Sequence, residues 1–255
     1  MVSSMKIALI TGASQGIGSA IAQELNQKKI KVILVARSKV KLKKIQTSLK
    51  FPKNSIIISK DLRSLSACNS IGAKIKKLNY LINVAGATKG GSFLKLKDNV
   101  WDDGFNLKFK AAVRLSRNFW KTLRRNKGKV INIGGGAARN PSHTFMIGGA
   151  VNSALNNFSR SLAMQGKIDK VSVSIIHPGM TLTSRLKKLL ETDSKILKKS
   201  VKQILKQRCK ADKIKRPTKP EEVAKLVYSL IRSSNLNFNN IAIDGGKIKR
   251  LKTHV

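Results

Sequence analysis

Acidic side chains are scarce: 12 Asp and Glu stand against 52 Lys and Arg, a formal net charge of +40. Such an excess can serve nucleic acid, an anionic membrane or an acidic protein partner. Here the cations are dispersed, without a block of five like charges or a basic tail interleaved with aromatics. Aromatics make up 5% of the chain, too few for an obvious base-stacking platform. The charge therefore reads first as compositional drift, then as a match to an acidic protein or thioester partner, with nucleic acid least favoured. No apolar run reaches the roughly 18–20 residues that span a bilayer, so no membrane segment is expected. The first residues run directly into a buried-strand pattern and lack a signal peptide's charged and apolar regions, which implies a cytoplasmic protein. Cysteine is nearly absent. Cys68 and Cys209 are far apart and without metal-ligand spacing, so free thiols are expected, with neither a disulfide nor a metal site.

What is present is a rhythm. Short runs rich in Val, Ile and Leu occur at 6–11, 31–36, 55–59, 80–86, 129–134, 171–176 and 239–244. Their near-continuous hydrophobicity suits strands buried on both faces. Helical patterns lie between them, at roughly 16–28, 39–50, 64–76, 99–126, 149–166 and 220–233. Strand–helix alternation predicts a single α/β domain over 1–255, doubly wound in the Rossmann manner, with about seven parallel strands and helices on both faces. Residues 181–216 break the rhythm with a lysine-rich helical stretch, expected to form a mobile flap over the site.

The first strand ends in "TGASQGIG", Thr11–Gly18, and a helix follows. In that context Gly12 permits a tight turn, while Gly16 and Gly18 let the backbone approach a pyrophosphate at the helix N-terminus. Ser14 could add a phosphate contact. The second strand ends "VARS", with Ala36 where NAD sites place a carboxylate and Arg37 directly after. A cation without a competing carboxylate suits a 2′-phosphate, so NADP(H) is expected in preference to NAD(H).

These residues resemble the classical short-chain dehydrogenase/reductase family over nearly the whole chain. The resemblance implies that Thr11, Gly12, Ser14, Gly16, Ile17 and Gly18 line the dinucleotide, with Asp61 and Leu62 at the adenine. Asn83, Ala85 and Gly86 of "NVAG" then line the cofactor, although Val84 replaces the family's second Asn. Asn106 matches the helix Asn that orders a proton-relay water. Pro178, Gly179 and Thr183 match the PGxxxT segment, with Thr183 at the carboxamide. "KPEEVA" (219–224) and "IDGG" (243–246) match the C-terminal helix and strand. Long helices at 99–126 and 149–166 resemble the family's interfaces and imply a homodimer or homotetramer.

The family's catalytic serine, tyrosine and lysine are not found where the resemblance puts them. Anchored on Ser153–Ala163, Gly135 stands at the serine, Gly148 at the tyrosine and Asn152 at the lysine; a shift of two offers only Met146 and Ala150. The chain has just two tyrosines, Tyr80 and Tyr228, on the fourth strand and the last helix. Loss of a general acid/base removes typically 10²–10⁴-fold in rate without removing cofactor binding. Asn152 could still reach a ribose hydroxyl, and Gly148 with Gly149 should leave open volume for a bulkier substrate or a water. His143 and Lys89 are candidate replacement acids, although a loop and a solvated role suit them better. Ser142 and Thr144 suit the turn, His177 a structural role, and Phe145 and Met146 core or pocket wall.

Three functions compete. The first is an NADP(H)-dependent oxidoreductase acting on a carbonyl or alcohol, with a nonstandard or weakened site. Its substrate would be an unidentified small molecule or an acyl thioester. 3-Oxoacyl-thioester reductases are similar, and "KTLRRNKGK" (121–129), with Arg124 and Arg125, resembles their patch for an acidic carrier protein. The second is a catalytically inactive dinucleotide-binding scaffold, and the third a basic nucleic-acid-associated protein.

Overall fold

A computed structural model describes residues 5–234, 238–245 and 247–250. The elements run β1 (Ile7–Thr11), α1 (Gly16–Gln27), β2 (Lys31–Ala36), α2 (Lys39–Thr47), β3 (Ser55–Ser59), α3 (Leu65–Lys74) and β4 (Tyr80–Asn83). Then come α4 (Asp98–Gly104), a π turn (Phe105–Lys110), α5 (Ala111–Arg125), β5 (Lys129–Ile133), α6 (Met146–Asp169) and β6 (Ser172–Pro178). The chain continues through α7 (Ser184–Leu197), α8 (Val201–Ala211), α9 (Pro220–Arg232), β7 (Asn239–Asp244) and β8 (Lys247–Arg250). The sheet order is β3-β2-β1-β4-β5-β6-β7-β8. The seven expected strands are parallel, and β8 adds an antiparallel edge that pairs Ile243 with Ile248. Gly246, the second glycine of "IDGG", lies outside the described residues.

The sheet is covered on both faces because successive residues of each strand point to opposite sides. Ala8, Ile10, Val32 and Leu34 pack against Ile21 and Leu25 of α1 and Val223 and Val227 of α9. Leu9, Ile33, Val35 and Leu81 face the other way, onto Ile71 of α3 and Leu115 and Phe119 of α5. Full burial of each such side chain contributes about 1.5–3 kcal/mol, so these two layers carry the fold. Strand order reverses between β1 and β4, and there the carboxyl ends of the strands open a crevice, as in other doubly wound sheets.

Two expectations are corrected. The helix expected at 99–126 is interrupted by the π turn, in which the Ala111 N–H donates to the Asn106 carbonyl. The wider turn takes up an extra residue and shifts the helix phase. The helix expected at 149–166 starts earlier, at Met146, and so contains position 148 in its first turn. The stretch 181–216 forms two capped helices, α7 and α8, joined by Leu186, Leu190 and Ile204 in a small core of their own. No described helix is long and apolar enough to cross a membrane.

Candidate active site

The crevice at the β1–β4 reversal is a cradle. Gly12 and Gly16 adopt positive φ, 65° and 58°, where a side chain is strained. A Cβ at Gly18 would collide with the Gly12 carbonyl, so a glycine is needed for α1 to pack under the loop. Gln15 caps α1 without a side-chain bond and the first turn holds no acidic residue, leaving N–H groups and a positive dipole end for an anion. Thr11 is buried behind the loop. Its Oγ1 accepts from the Val84 and Ala85 N–H groups at 2.9 and 3.0 Å and fastens the end of β1 to the turn after β4.

Gly12, Ser14, Gly16, Ile17, Gly18, Leu62, Ala85, Gly86 and Thr183 all line this cavity of about 360 Å³. Arg37, Ser38, Lys41 and Lys60 form its other end, beside Ala36. Arg37 is 3.9 Å from Asp61 and 63% exposed, a pair worth about 0–1 kcal/mol and easily exchanged for a phosphate. Asp61 itself stands outside the wall, held by Arg63, which also grips Asp103. Asn83 is likewise not a wall residue. It is buried, and its amide donates to Asn132 Oδ1 at 2.8 Å. Pro178 and Gly179 line the adjoining cavity that leads inward, and Thr183 belongs to both.

That inner space, about 690 Å³, is walled by Gly134–Ala137, Arg139, Phe145, Asn152, His177 and Arg185, with α8's end opposite. Here the expectation of open volume at Gly148 is wrong. A Cβ at Gly148 would fall on the Phe145 ring, which folds back over the first turn of α6 into the space that glycine leaves. Gly135 is filled in the same way, since a Cβ there would lie 2.9 Å from Asn152 Nδ2. Asn152 donates to the Gly148 carbonyl at 2.7 Å, while its Oδ1 is buried without a hydrogen-bond partner among the described residues. His143 is exposed and is not among the lining residues, and Lys89 is exposed too. Tyr80 and Tyr228 pack on the α1–α9 face of the core, away from these walls.

The site holds two titratable groups whose surroundings shift them. His177 is 1% exposed. Burial holds its pKa down to about 4; a hydrogen bond with the Gly135 backbone opposes this, and the Arg139 and Lys108 charges add to it. Its Nδ1 lies 3.1 Å from the Gly135 carbonyl and 3.3 Å from the Gly135 N–H, and its Nε2 lies 3.2 Å from Asn156 Oδ1. His177 thus shapes the glycine loop and offers no proton at neutral pH. A pKa depressed from 6.5 to about 4 costs nothing above pH 6.5, and about 3 kcal/mol of stability drains away as pH falls to 4. His177→Gln should flatten that part of the acid limb in urea titrations across pH; an unchanged slope would show that another group sets it.

Lys108 is the group that sequence reasoning missed. Asn106, two residues earlier, remains on the π turn but does not line either cavity; Lys108 lines both inner ones. Its stem crosses Gly86, where a Cβ would lie 2.8 Å from Lys108 Cδ, and its Nζ donates to the Gly134 carbonyl at 2.9 Å. Desolvation first, and the Arg185 charge second, bring its pKa down to about 7. Nothing in a chain with 52 Lys and Arg marks this lysine, because a π turn decides which way it points.

Residues 6–194 match the family described as short chain dehydrogenase. The 2,3-dihydro-2,3-dihydroxybenzoate dehydrogenase of Bacillus subtilis (strain 168) is 27% identical over 94% of this chain and 95% of its own. The 3-oxoacyl-(acyl-carrier-protein) reductase FabG of Rickettsia typhi is 33% identical over 73% of this chain and 77% of its own. Among solved structures, L-sorbose reductase from Gluconobacter frateurii, complexed with NADPH and L-sorbose, superposes with a TM-score of 0.89 at 28% identity, covering 98% of both chains. With its cradle and sheet order, the chain belongs to the short chain dehydrogenase family of oxidoreductases and is similar to 3-oxoacyl-(acyl-carrier-protein) reductases.

Proposed function

We propose that the protein is an NADP(H)-dependent oxidoreductase that interconverts a carbonyl and an alcohol in the inner cavity. The observation that carries this reading is the cationic end of the cradle, where Arg37, Lys41 and Lys60 meet beside Ala36 with Ser38 among them. Four donors without a carboxylate at position 36 suit a 2′-phosphate and penalise nothing about it. The residues fit the rest of such a cofactor. The α1 N-terminus and Ser14 would hold the pyrophosphate, Asn152 Oδ1 lacks a donor that a ribose hydroxyl supplies, and Thr183 would meet the carboxamide. Bound NADPH supplies a hydride; the chain's part is to orient it and the substrate and to manage a proton. The NADPH complex of the similar L-sorbose reductase supports the same preference.

Residues 181–216 would cover the substrate, since α7 and α8 wall the inner cavity through Arg185 and Ala211. A 3-oxoacyl thioester is one substrate to test, given the FabG relatives. The carrier-protein patch is a weaker part of the reading, because Arg124 is already paired with Asp169 at 3.3 Å and Arg125 donates to the Lys76 carbonyl. A homo-oligomer is expected, and light scattering across a salt series would test it. The competing reading, a dinucleotide-binding scaffold without turnover, is favoured by the Phe145 ring filling the space beside Gly148, the position that the resemblance assigns to the tyrosine.

Two measurements separate these. Fluorescence titration should show NADPH binding more tightly than NADH, and Arg37→Asp should reduce the preference about ten- to a hundredfold, as loss of a charged hydrogen bond predicts. An unchanged ratio would remove the 2′-phosphate assignment. NADPH oxidation against a carbonyl panel, 3-oxoacyl thioesters included, then decides between enzyme and scaffold.

A further inference from the structure

We infer that Lys108 is the catalytic proton donor of this site, taking over the task from a tyrosine that the fold has no room for. The inference rests on the reductase reading above. It starts from position. Lys108 reaches across Gly86 to the glycine loop at Gly134 and lines both compartments of the inner cavity; Arg185 lines them too, but its guanidinium does not release a proton. A substrate oxygen between a nicotinamide over Gly86 and the Gly134–Gly136 backbone would be next to this ammonium.

The other candidates fail on geometry. His177 keeps its Nδ1 for the Gly135 backbone and its Nε2 for Asn156, and burial keeps it neutral. His143 and Lys89 are exposed and do not line the inner cavity. Asn152 has an amide, which carries no acidic proton at working pH. The charged groups around the ammonium are Arg185 of α7, Arg139 after β5, and Asp212 and Asp244 at the outer wall. No ion pair within 4 Å joins Lys108 to a carboxylate among the described residues. An unpaired, desolvated ammonium gives up its proton more readily than an exposed one, and its pKa of about 7 places it at the optimum for acid–base work near neutrality.

The step balances. A new C–H bond forms at the carbonyl carbon with the hydride that NADPH supplies, and the C=O π pair moves onto oxygen. That oxygen takes a proton from Nζ, leaving an alcohol, NADP⁺ and a neutral amine. Solvent in the cavity mouth returns the proton, for a net consumption of one H⁺ per carbonyl reduced.

The test pairs a readout on the protein alone with one on turnover. In the cofactor-free protein, competitive acetylation with acetic anhydride, followed at the Lys108 peptide by mass spectrometry, should reach half its plateau near pH 7; a midpoint near 10 overturns the assignment. The reductive kcat of the wild type should fall tenfold per pH unit above about 7, because the acid form is lost there, and alcohol oxidation should rise through the same pH. Lys108→Met and Lys108→Arg should each lower kcat at least a hundredfold while NADPH affinity stays within about threefold. The arginine variant keeps a donor for the Gly134 carbonyl but cannot release a proton, so recovery of turnover in it would make Lys108 a structural tether and overturn the proposal. Turnover that survives in both variants also overturns it and leaves the reductase reading standing. A wild type that binds NADPH and reduces nothing on the panel refutes the reductase reading, and the proton-donor role falls with it.

Discussion

Tyrosine introduced at position 148 is expected to lower stability by about 3 kcal/mol or more, at the upper end of overpacking penalties. For a chain of this size that is a fall in Tm of roughly 6–12 °C. The reason is local. Gly148 sits in the first turn of α6, and Phe145, three residues before it, uses the missing side chain as its own seat. Any Cβ there meets the ring, which in turn has Arg185 stacked over it at 6.0 Å. Gly135→Ser/Gly148→Tyr/Asn152→Lys, which rewrites the three positions to the family's residues, should therefore fail to assemble a working acid. Adding Phe145→Gly should recover most of the lost Tm. Thermal unfolding of the four-residue variant beside the three-residue one checks this. If Gly148→Tyr alone melts within about 2 °C of wild type, the Phe145 ring moves aside freely and the site is more adaptable than its packing implies.

Asn132→Leu should cost about 2–4 kcal/mol, although leucine suits a β-strand core. Asn132 is fully buried on β5 and links neighbours on two elements. It accepts from Asn83 on β4 at 2.8 Å and donates to Ser159 on α6 at 2.8 Å, and Ser159 passes its own proton to the Leu155 carbonyl. Removing the middle of this chain strands the Asn83 amide in the interior, and the unmet donor accounts for most of the penalty. Asn83→Leu/Asn132→Leu should be much closer to wild type, because both partners then become apolar. Urea titrations of the two single variants and the double would yield a coupling of about 1–3 kcal/mol; additive losses would mean that the chain contributes nothing as a unit. The linkage also has a positional consequence, since it ties α6, and with it Asn152, to the end of the strand that carries the glycine loop.

The glycine cradle was legible in the sequence because its geometry is written in the backbone. A glycine that must take positive φ, or must admit another carbonyl at its face, has no substitute, and the order strand–glycines–helix already states the geometry. Gly12, Gly16, Gly18, Arg37, Leu62, Ala85, Gly86 and Thr183 accordingly stand in one wall. The residues that serve that wall from behind are not told apart from it by the sequence. Thr11, Asn83 and Asp61 are sequence neighbours of lining residues, yet they face the turn, β5 and Arg63. Neighbourhood along a chain does not distinguish lining from support when successive side chains point to opposite sides.

The inner cavity was legible only through the residues that the sequence does not offer it. Two tyrosines in wrong places, and glycines at 135 and 148, follow from the letters alone. By itself, then, the sequence determined the α/β class, the parallel strands, the glycine cradle with its cationic end, and the glycines at 135 and 148, all of which rest on local spacing and hydrophobic period. Tertiary structure decided what occupies the vacated space: the Phe145 ring over Gly148, the Asn152 amide against Gly135, and the Lys108 ammonium at Gly134. These depend on which way a side chain points on a π turn, and on how closely α6 lies against the glycine loop. The Asn152–Gly135 and Lys108–Gly134 contacts join residues 17 and 26 positions apart (152 − 135 and 134 − 108), and no periodicity in one segment records where another segment will come to rest.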